Sequence, residues 1–367
     1  KGRHNVMKIV SLGIGLAVGL VLIAKVYFEQ SYDDFYPDRD RVYQVWAKYQ
    51  QNGGELKDYP QTSGGIAPTM QQQIPEIETV TRYTSFGDWT FTMTDTKMKY
   101  SGRCIIADSC FFDILPRPML IGNAKEVLST PMYVLISSRI AKNIGGDVIG
   151  KNFTVDNSPG RTMTIGGVFE EVPENSHSRY DVIVSMASAG RFMWEGSPTN
   201  MLGNDRYISY VKLHKGVNPL ALEEQVRTFV NSYFPPEEQQ KVGLSIDFSF
   251  HKLDNLHKEL PQVKRMTWIL SLLAFALIFT AVMNYILIVI SSIVNRSKEV
   301  AVHKCYGASE NNIHGMMFGE ALVHIVLSLI LALLLILAFR GTVEELLATS
   351  LDSLLLSNGS LVLLGIC

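Results

Sequence analysis

The chain has no excess of charge of either sign: 33 lysines and arginines against 35 aspartates and glutamates leave a formal charge of −2. That balance argues against nucleic-acid binding, which needs a clustered basic face. Cysteine is scarce. The four residues, Cys104, Cys110, Cys305 and Cys367, show no CxxC spacing and no zinc-type histidine pattern, and no metal or cofactor is expected. Cys104 and Cys110 could pair in an oxidising compartment; two independent buried thiols is the plainer reading. No G-x-S-x-G elbow occurs, which leaves a membrane-tethered hydrolase without a nucleophile–base arrangement. An initiating methionine is missing, and the last residues, SLVLLGIC, open a fresh apolar run. The expectation is a fragment with at least one more membrane helix beyond Cys367.

What the chain does have is long apolar runs. Thr267–Val294 and Met316–Phe339 carry almost no polar face, whereas a soluble core helix of that length would carry one. Roughly 20 apolar residues rising 1.5 Å each span a ~30 Å hydrocarbon core, so each run can cross a bilayer. Near the N-terminus, a basic flank (KGRHNVMK) precedes Ile9–Tyr27, which is apolar apart from Lys25. No small-residue cleavage site follows, so the run reads as an uncleaved span and not as a signal peptide. Gly13, Gly15 and Gly19 on it would permit close helix packing.

Between the first and second runs the composition turns polar for about 240 residues, enough to bury a core of its own and to hold two subdomains. Period-2 alternation predicts strands at Arg41–Tyr49, Tyr207–Leu213 and Ser245–Lys252. A hairpin is expected from Tyr83–Thr94 and Lys97–Ile106, turning near Asp95. Phe153–Val155 and Thr162–Phe169 read as strands around an Asn157–Gly160 turn. Helices are expected at Ala67–Ile74, stopped by Pro75, at Ser137–Asn143, ended by Gly145-Gly146, and at Asn218–Tyr233, with Asn218 as cap and Pro219 first. The fold class is therefore an α+β membrane protein: transmembrane α-helices with a large extracytoplasmic α+β domain inserted between helix 1 and helix 2.

Lysine and arginine sit in the N-terminal flank and in the connector after the second run, while Glu344, Glu345 and Asp352 dominate the loop after the third. The positive-inside rule then orients the chain. The expected organisation is a cytosolic flank (1–8), a span (9–27), a domain outside (28–265), a span (267–294), a cytosolic connector (295–315), a span (316–339), an outside loop (340–358) and the start of a fourth span (359–367). A multi-pass membrane protein in contact with lipids is expected.

Candidate chemistry is sparse. Gly145–Asn152 matches a phosphate loop except at its last position, where Asn152 stands in place of Ser or Thr, and it lies between a helix and a strand in the wrong order; it reads as a glycine-rich turn. His177, between Ser176 and Ser178 and near Asp181, has no partner histidine in sequence and reads as a surface-loop residue, as do His251 and His257. Glu320 and His324, i and i+4 at the edge of the third run, form a polar pair that is either functional or simply solvated at the interface. In the connector, Arg296, Lys298, Glu299, His303 and Lys304 extend the preceding helix into water. Gly307-Ala308-Ser309 breaks it, and Ser309 is placed to cap a short helix starting at Glu310 and carrying His314. Such an elbow suits docking of a partner.

These residues resemble a known family. RSKEVAVHKCYGAS, Arg296–Ser309, resembles the R-x-K-E-[IV]-[AG]-[IV]-[RH]-K-x-x-G-A-S pattern of FtsX-like/MacB-like ABC transporter permeases, and Glu320-Ala321 matches the family's glutamate–alanine pair. Ser31–Val45 and Ile105–Ser137 are similar to segments of Bacteroidetes-type members. IGKNFTV and Thr164–Ser185 look like the MacB-like periplasmic core's "G-K … V-x-G-V-x-x-x-x-P-x-x-S-H" pattern. His303 stands where arginine is commoner, and Cys305-Tyr306 where small or apolar residues are usual. The resemblance implies a non-catalytic subunit that pairs with a separate cytosolic ABC ATPase through Arg296, Lys298, Glu299, His303, Lys304, Gly307, Ala308, Ser309, Glu310 and His314. It also implies a dimer or pseudo-dimer of permease halves, mechanotransmission to the outer domain, and a periplasmic adaptor or substrate protein. Export or efflux of an antimicrobial compound, peptide or lipoprotein is the implied role; the alternative is a membrane-anchored periplasmic sensor or regulator.

Overall fold

The computed structural model describes residues 2–156, 158–295 and 310–355. They fall into two units, one of Lys1–Tyr32 with His257–Cys367 and one of Asp33–Leu256.

The first unit is helical. It holds α1 (Gly2–Gln30), α9 (Pro261–Asn295), α10 (Glu310–Ala338) and two short helices, α11 (Arg340–Leu347) and α12 (Leu351–Leu355). Among the described residues, three stretches are long and apolar enough to cross a membrane: Val6–Gln30, Pro261–Ile290 and Phe318–Ala338. α1 packs against both α9 and α10, and its glycines are where the backbones meet. A Cβ on Gly15 would lie 2.3 Å from the Ala281 methyl, and one on Gly19 2.5 Å from Ile278, both on α9. One on Gly13 would lie 2.9 Å from Leu331 of α10. In lipid, where helix association rests on close packing, such notches are what permit contact. The small residues Ala274 and Ala281 answer them across the interface and are buried. The large apolar residues facing away, Trp268 and Phe275 among them, are 76% and 67% exposed, as a bilayer-facing surface requires.

The second unit is built on one mixed sheet. Its strands are β1 (Val42–Gln51), β2 (Lys57–Tyr59), β3 (Ile77–Met93), β4 (Lys99–Ala107), β5 (Met119–Ile121), β6 (Tyr133–Ser137), β7 (Asn152–Val155), β8 (Ser158–Phe169), β9 (Val182–Ser185), β10 (Ile208–Leu213) and β11 (Leu244–Lys252). The order is β11-β1-β10-β3-β4-β9-β6-β8-β5, with β2 beside β1, and β7 joining β3 to β8. β4–β9 and β6–β8 run parallel, and the other pairs are antiparallel. β3 serves two regions: Ile77–Tyr83 pairs with β10 and Tyr83–Thr92 with β4. Within the β4 pairing the register shifts between Ser85 and Gly87, and Gly87 adopts φ +74°, a value glycine reaches without the cost a Cβ imposes.

Helices α2 (Ile66–Gln73) and α7 (Glu223–Tyr233) cover the β11-β1-β10-β3 end. Ile66, Met70, Val226, Phe229 and Val230 close one core against Val45, Ala47, Val211 and Phe248. A second core lies around Phe91, Phe153, Ile136 and Val184. A third joins Tyr83, Phe111, Leu115, Leu135, Phe169 and Tyr210. Side chains of this size contribute about 1.5–3 kcal/mol each when fully buried.

The expected strands and the hairpin are present, and the expected helices differ in detail. α2 ends at Gln73, ahead of Pro75, and Asn218 caps a 3-10 turn over Pro219–Leu222 before α7 begins. α4 (Ala124–Ser129) was not expected from the sequence; its cap, Asn123, accepts from the amides of Lys125 and Glu126 at 3.0 and 3.3 Å, an arrangement worth about 1 kcal/mol. The remaining short helices are α3 (Phe111–Ile114), α5 (Ser138–Ile144), α6 (Ala189–Phe192) and α8 (Pro236–Val242).

Candidate functional site

The predicted docking residues divide at the edge of the described structure. Arg296, Lys298, Glu299, His303, Lys304, Gly307, Ala308 and Ser309 lie outside the described residues. Glu310 and His314 are on the first turns of α10. The helix that starts at Glu310 is not the short one expected: it continues through Gly315 to Ala338. Nothing in this sequence breaks it, because a glycine inside a helix costs only about 1 kcal/mol against alanine. The first turns of the third apolar helix and the end of the connector are thus one continuous element.

Two turns further along α10, Glu320 and His324 enter the helical unit. Lys8 of α1 is 2% exposed and its ammonium lies 4.0 Å from the Glu320 carboxylate. His324 is 4% exposed, with its ring 6.4 Å from that of Tyr285 on α9. The Asn284 amide donates to Ser11 at 2.6 Å, and the Ser328 hydroxyl to the Ile9 carbonyl at 3.2 Å. This end of the three helices is therefore joined by polar contacts. Ionisable groups inside apolar helices are costly enough that they are retained in pairs.

A second cluster closes the other end of α1. Lys25 contacts Glu29 one turn later at 2.7 Å, and it donates to Thr349 at 2.8 Å. The second oxygen of Glu29 meets His257 Nε2 at 2.6 Å. The His257 ring stacks on Tyr32, centroids 3.5 Å apart and planes 8° from parallel. Lys25, Glu29 and His257 are all at least four-fifths buried at the side chain. His257 lies in a turn, but its side chain is largely buried against Glu29, which corrects its reading as a surface residue. Beyond Thr349, Arg340 holds both Glu344 and Asp352 at 2.9 Å.

His177 is also corrected, within the sheet-bearing unit. Its Nδ1 lies 2.6 Å from Asp33 Oδ2, and its Nε2 lies 2.5 Å from the Tyr210 hydroxyl. Asp33 is fully buried and also accepts from the Ser176 hydroxyl and the His177 amide at 3.0 and 3.3 Å. Burial raises the Tyr210 phenol well above its ordinary value. The two ring nitrogens thus bridge the Asp33 carboxylate and the Tyr210 hydroxyl. Beside it, Tyr36 shares a 2.9 Å bond with Ser178, and Arg117 donates to the Ser178 carbonyl and hydroxyl. The Asp–His–Tyr alignment has the look of an acid–base relay, but Tyr210 is 0% exposed. No substrate atom can reach it, and the relay is a structural tie.

The phosphate-loop lookalike is ordinary turn structure. Gly145, Gly146 and Gly150 have positive φ. The amides a phosphate would need are spent internally, Gly150 on the Ile165 carbonyl and Lys151 on that of Val148. Cys104 and Cys110 are free thiols; burial pushes both up, Cys110 to about 11 with Asp108 adding to the effect. Among the described residues, no group of three or more His, Cys, Asp or Glu side chains could hold a metal ion.

A sheet-rich domain entered from one membrane-length helix and left through another is the plan of a membrane permease with a large soluble domain. The family comparisons agree. The MacB-like periplasmic core domain matches residues 7–229, and the FtsX-like permease C-terminal domain matches residues 271–366. The chain belongs to the FtsX-like/MacB-like permeases of ABC transporters. Among solved structures, it is similar to a domain assigned to a permease protein from Porphyromonas gingivalis, with 33% identity and a TM-score of 0.54 over 59% of this chain and 91% of that one. The extracellular domain of the noncanonic ABC-type transporter YknZ from Gram-positive bacteria aligns over 56% of this chain and 98% of that one at 11% identity and a TM-score of 0.38, too distant to bear on the fold. No curated protein gives a match.

Proposed function

We propose that this chain is the non-catalytic transmembrane subunit through which a separate cytosolic ATPase moves an extracytoplasmic domain. The observation that carries this reading is that one sequence joins a MacB-like core domain to an FtsX-like membrane segment in the family's order. In this reading the cytosolic elbow from Arg296 to His314 docks the ATPase. Glu299 and Lys304 provide charged contacts. Because Glu310 and His314 belong to the same helix as Glu320 and His324, a push on the elbow is felt at the Lys8–Glu320 contact without passing through a loop. The protein lies in the inner membrane with its sheet-bearing domain in the periplasm, and works as a pair of permease halves to export or extract a substrate such as a peptide, lipoprotein or antimicrobial compound. A polar pore is not required of helices that act as struts.

The test is Glu299→Lys combined with Lys304→Glu in the intact chain. The expected outcome is loss of ATPase co-purification and of permease-stimulated ATP hydrolysis, with membrane insertion unchanged. Retention of both would remove the elbow as the docking site.

A further inference from the structure

The first turns of α9 carry two cations that the helical unit leaves unmatched. At the same end of the three helices, Lys25 and His257 both hold Glu29, at 2.7 and 2.6 Å, and Arg340 holds Glu344 and Asp352, each at 2.9 Å. Lys264 and Arg265 are exposed and enter no ion pair among the described residues. The first turn of α9 has no acidic residue. Glu259, the nearest acid in sequence, precedes the helix and pairs with neither cation.

The helix sets what lies beneath them. At 3.6 residues per turn, Lys264 and Arg265 bound a sector of about 100° that also contains Trp268, Leu272, Phe275 and Phe279. These four are 76%, 62%, 67% and 55% exposed, and the two phenylalanine rings stack with centroids 5.9 Å apart. α1 packs on the opposite side of α9, where Ala274 and Ala281 are buried. The sector is therefore continuous with the bilayer-facing surface of the span.

Depth selects the ligand. Tryptophan settles at the boundary between hydrocarbon and headgroups. Arg265 and Lys264 lie three and four residues further out, about 4.5–6 Å along the axis, within a headgroup layer of roughly 5–7 Å per leaflet. A phosphate at that height meets both cations while its acyl chains run down Leu272, Phe275 and Phe279. A second copy packed here about an axis normal to the membrane would instead bring four unmatched cations together. We infer that Lys264, Arg265 and Trp268 bind the headgroup of an anionic phospholipid, whose acyl chains follow the apolar stripe below. The inference rests on α9 crossing the bilayer and is independent of the ATPase docking proposed above, whose test reads ATP hydrolysis.

The probe is the full chain in phosphatidylcholine nanodiscs carrying a minor fraction of either brominated phosphatidylglycerol or brominated phosphatidylcholine. Bromine on an acyl chain quenches an indole it touches, and subtraction of the Trp268→Phe signal isolates Trp268 from the other tryptophans. Brominated phosphatidylglycerol should associate about fivefold or more tightly than brominated phosphatidylcholine, and the preference should weaken as salt is raised. Lys264→Gln with Arg265→Gln should abolish the preference, and Lys264→Arg with Arg265→Lys should keep it. Both positions are exposed, so the helix packing is left intact. Equal quenching by the two lipids, or a preference that survives the double glutamine change, overturns the site. Abolition of the preference by millimolar glycerol phosphate also overturns it, since the ligand would then be a soluble phosphate ester. Quenching by neither lipid overturns the span together with the site. Cross-linking of Leu272→Cys chains to one another assigns the surface to a second copy and removes the lipid.

Discussion

Asp33 and His177 stand 144 positions apart in the sequence, yet the carboxylate of one holds the imidazole of the other at 2.6 Å. Asp33 has φ +59° and no exposed surface. Its side chain fastens the Ser176–Ser178 segment to the strand that carries Tyr210. Removing the imidazole takes away one partner of a buried carboxylate and one of the partners of the Tyr210 hydroxyl.

We therefore expect His177→Ala to destabilise the sheet-bearing unit by about 2–4 kcal/mol, read as a fall in the denaturation midpoint of the purified protein. His177→Gln, which can still bond on both sides, should lose about half as much. Equal stability of His177→Ala and wild type would show that the tie carries no load.

The helix notches predict a contrast between glycines. Gly15→Leu or Gly19→Leu forces a side chain into Ala281 or Ile278 and should cost about 1–3 kcal/mol, seen as a lower melting temperature in detergent. A Cβ at Gly319 meets nothing within 4 Å, so Gly319→Ala should be neutral or stabilise by about 0.5–1 kcal/mol.

Acid should loosen the sheet-bearing unit in a defined window. Lys212, 2.5 Å away, and Arg41, 3.0 Å away, hold Asp38 down to about 2, below the ordinary 3.8. A depressed carboxylate stabilises the folded state above its unfolded pKa, and that contribution disappears as pH falls through the folded value. Between roughly pH 4 and pH 2, wild type should lose stability faster than Asp38→Asn, and the two curves should converge at the acid end. Parallel curves over that range would refute the assignment.

Thiol chemistry offers a further check. With Cys104 fully buried and Cys110 pushed up to about 11, maleimide at neutral pH should leave both unmodified in the folded protein. Both should label fully in denaturant, as read by mass spectrometry of the peptides. Labelling of Cys104 in the folded protein would mean that its core opens.

Much of the fold was legible where a local period exists. β1, β10, β11 and the β3–β4 hairpin alternate, and the turn leading into α7 has a cap and a proline, with acids in the first turn of α7 itself. β6 (YVLIS) and β9 (VIVS) were not legible: they are short and apolar, nearly all their residues are buried, and they find partners across crossovers that no neighbouring residue announces. His177 and His257 were misread for a related reason. Each is defined by a carboxylate on a distant segment, Asp33 and Glu29, and spacing says nothing about contacts across 144 or 228 positions. The glycines of α1 were readable because in lipid-facing helices small residues carry the interface. The connector's role was legible only through resemblance, since a charged loop between two spans has many possible uses.

The notches on α1 point in different directions: Gly13 faces α10, while Gly15 and Gly19 face α9. Val6, Val10, Ile14 and Val18, four apart, line a third side that is 40–58% exposed. A shaft keyed on two sides cannot spin, because any turn about its own axis would drive a valine or isoleucine into a slot cut for hydrogen. Whatever displacement α1 conveys must be a slide or a lean, shared with its two neighbours, and never a twist.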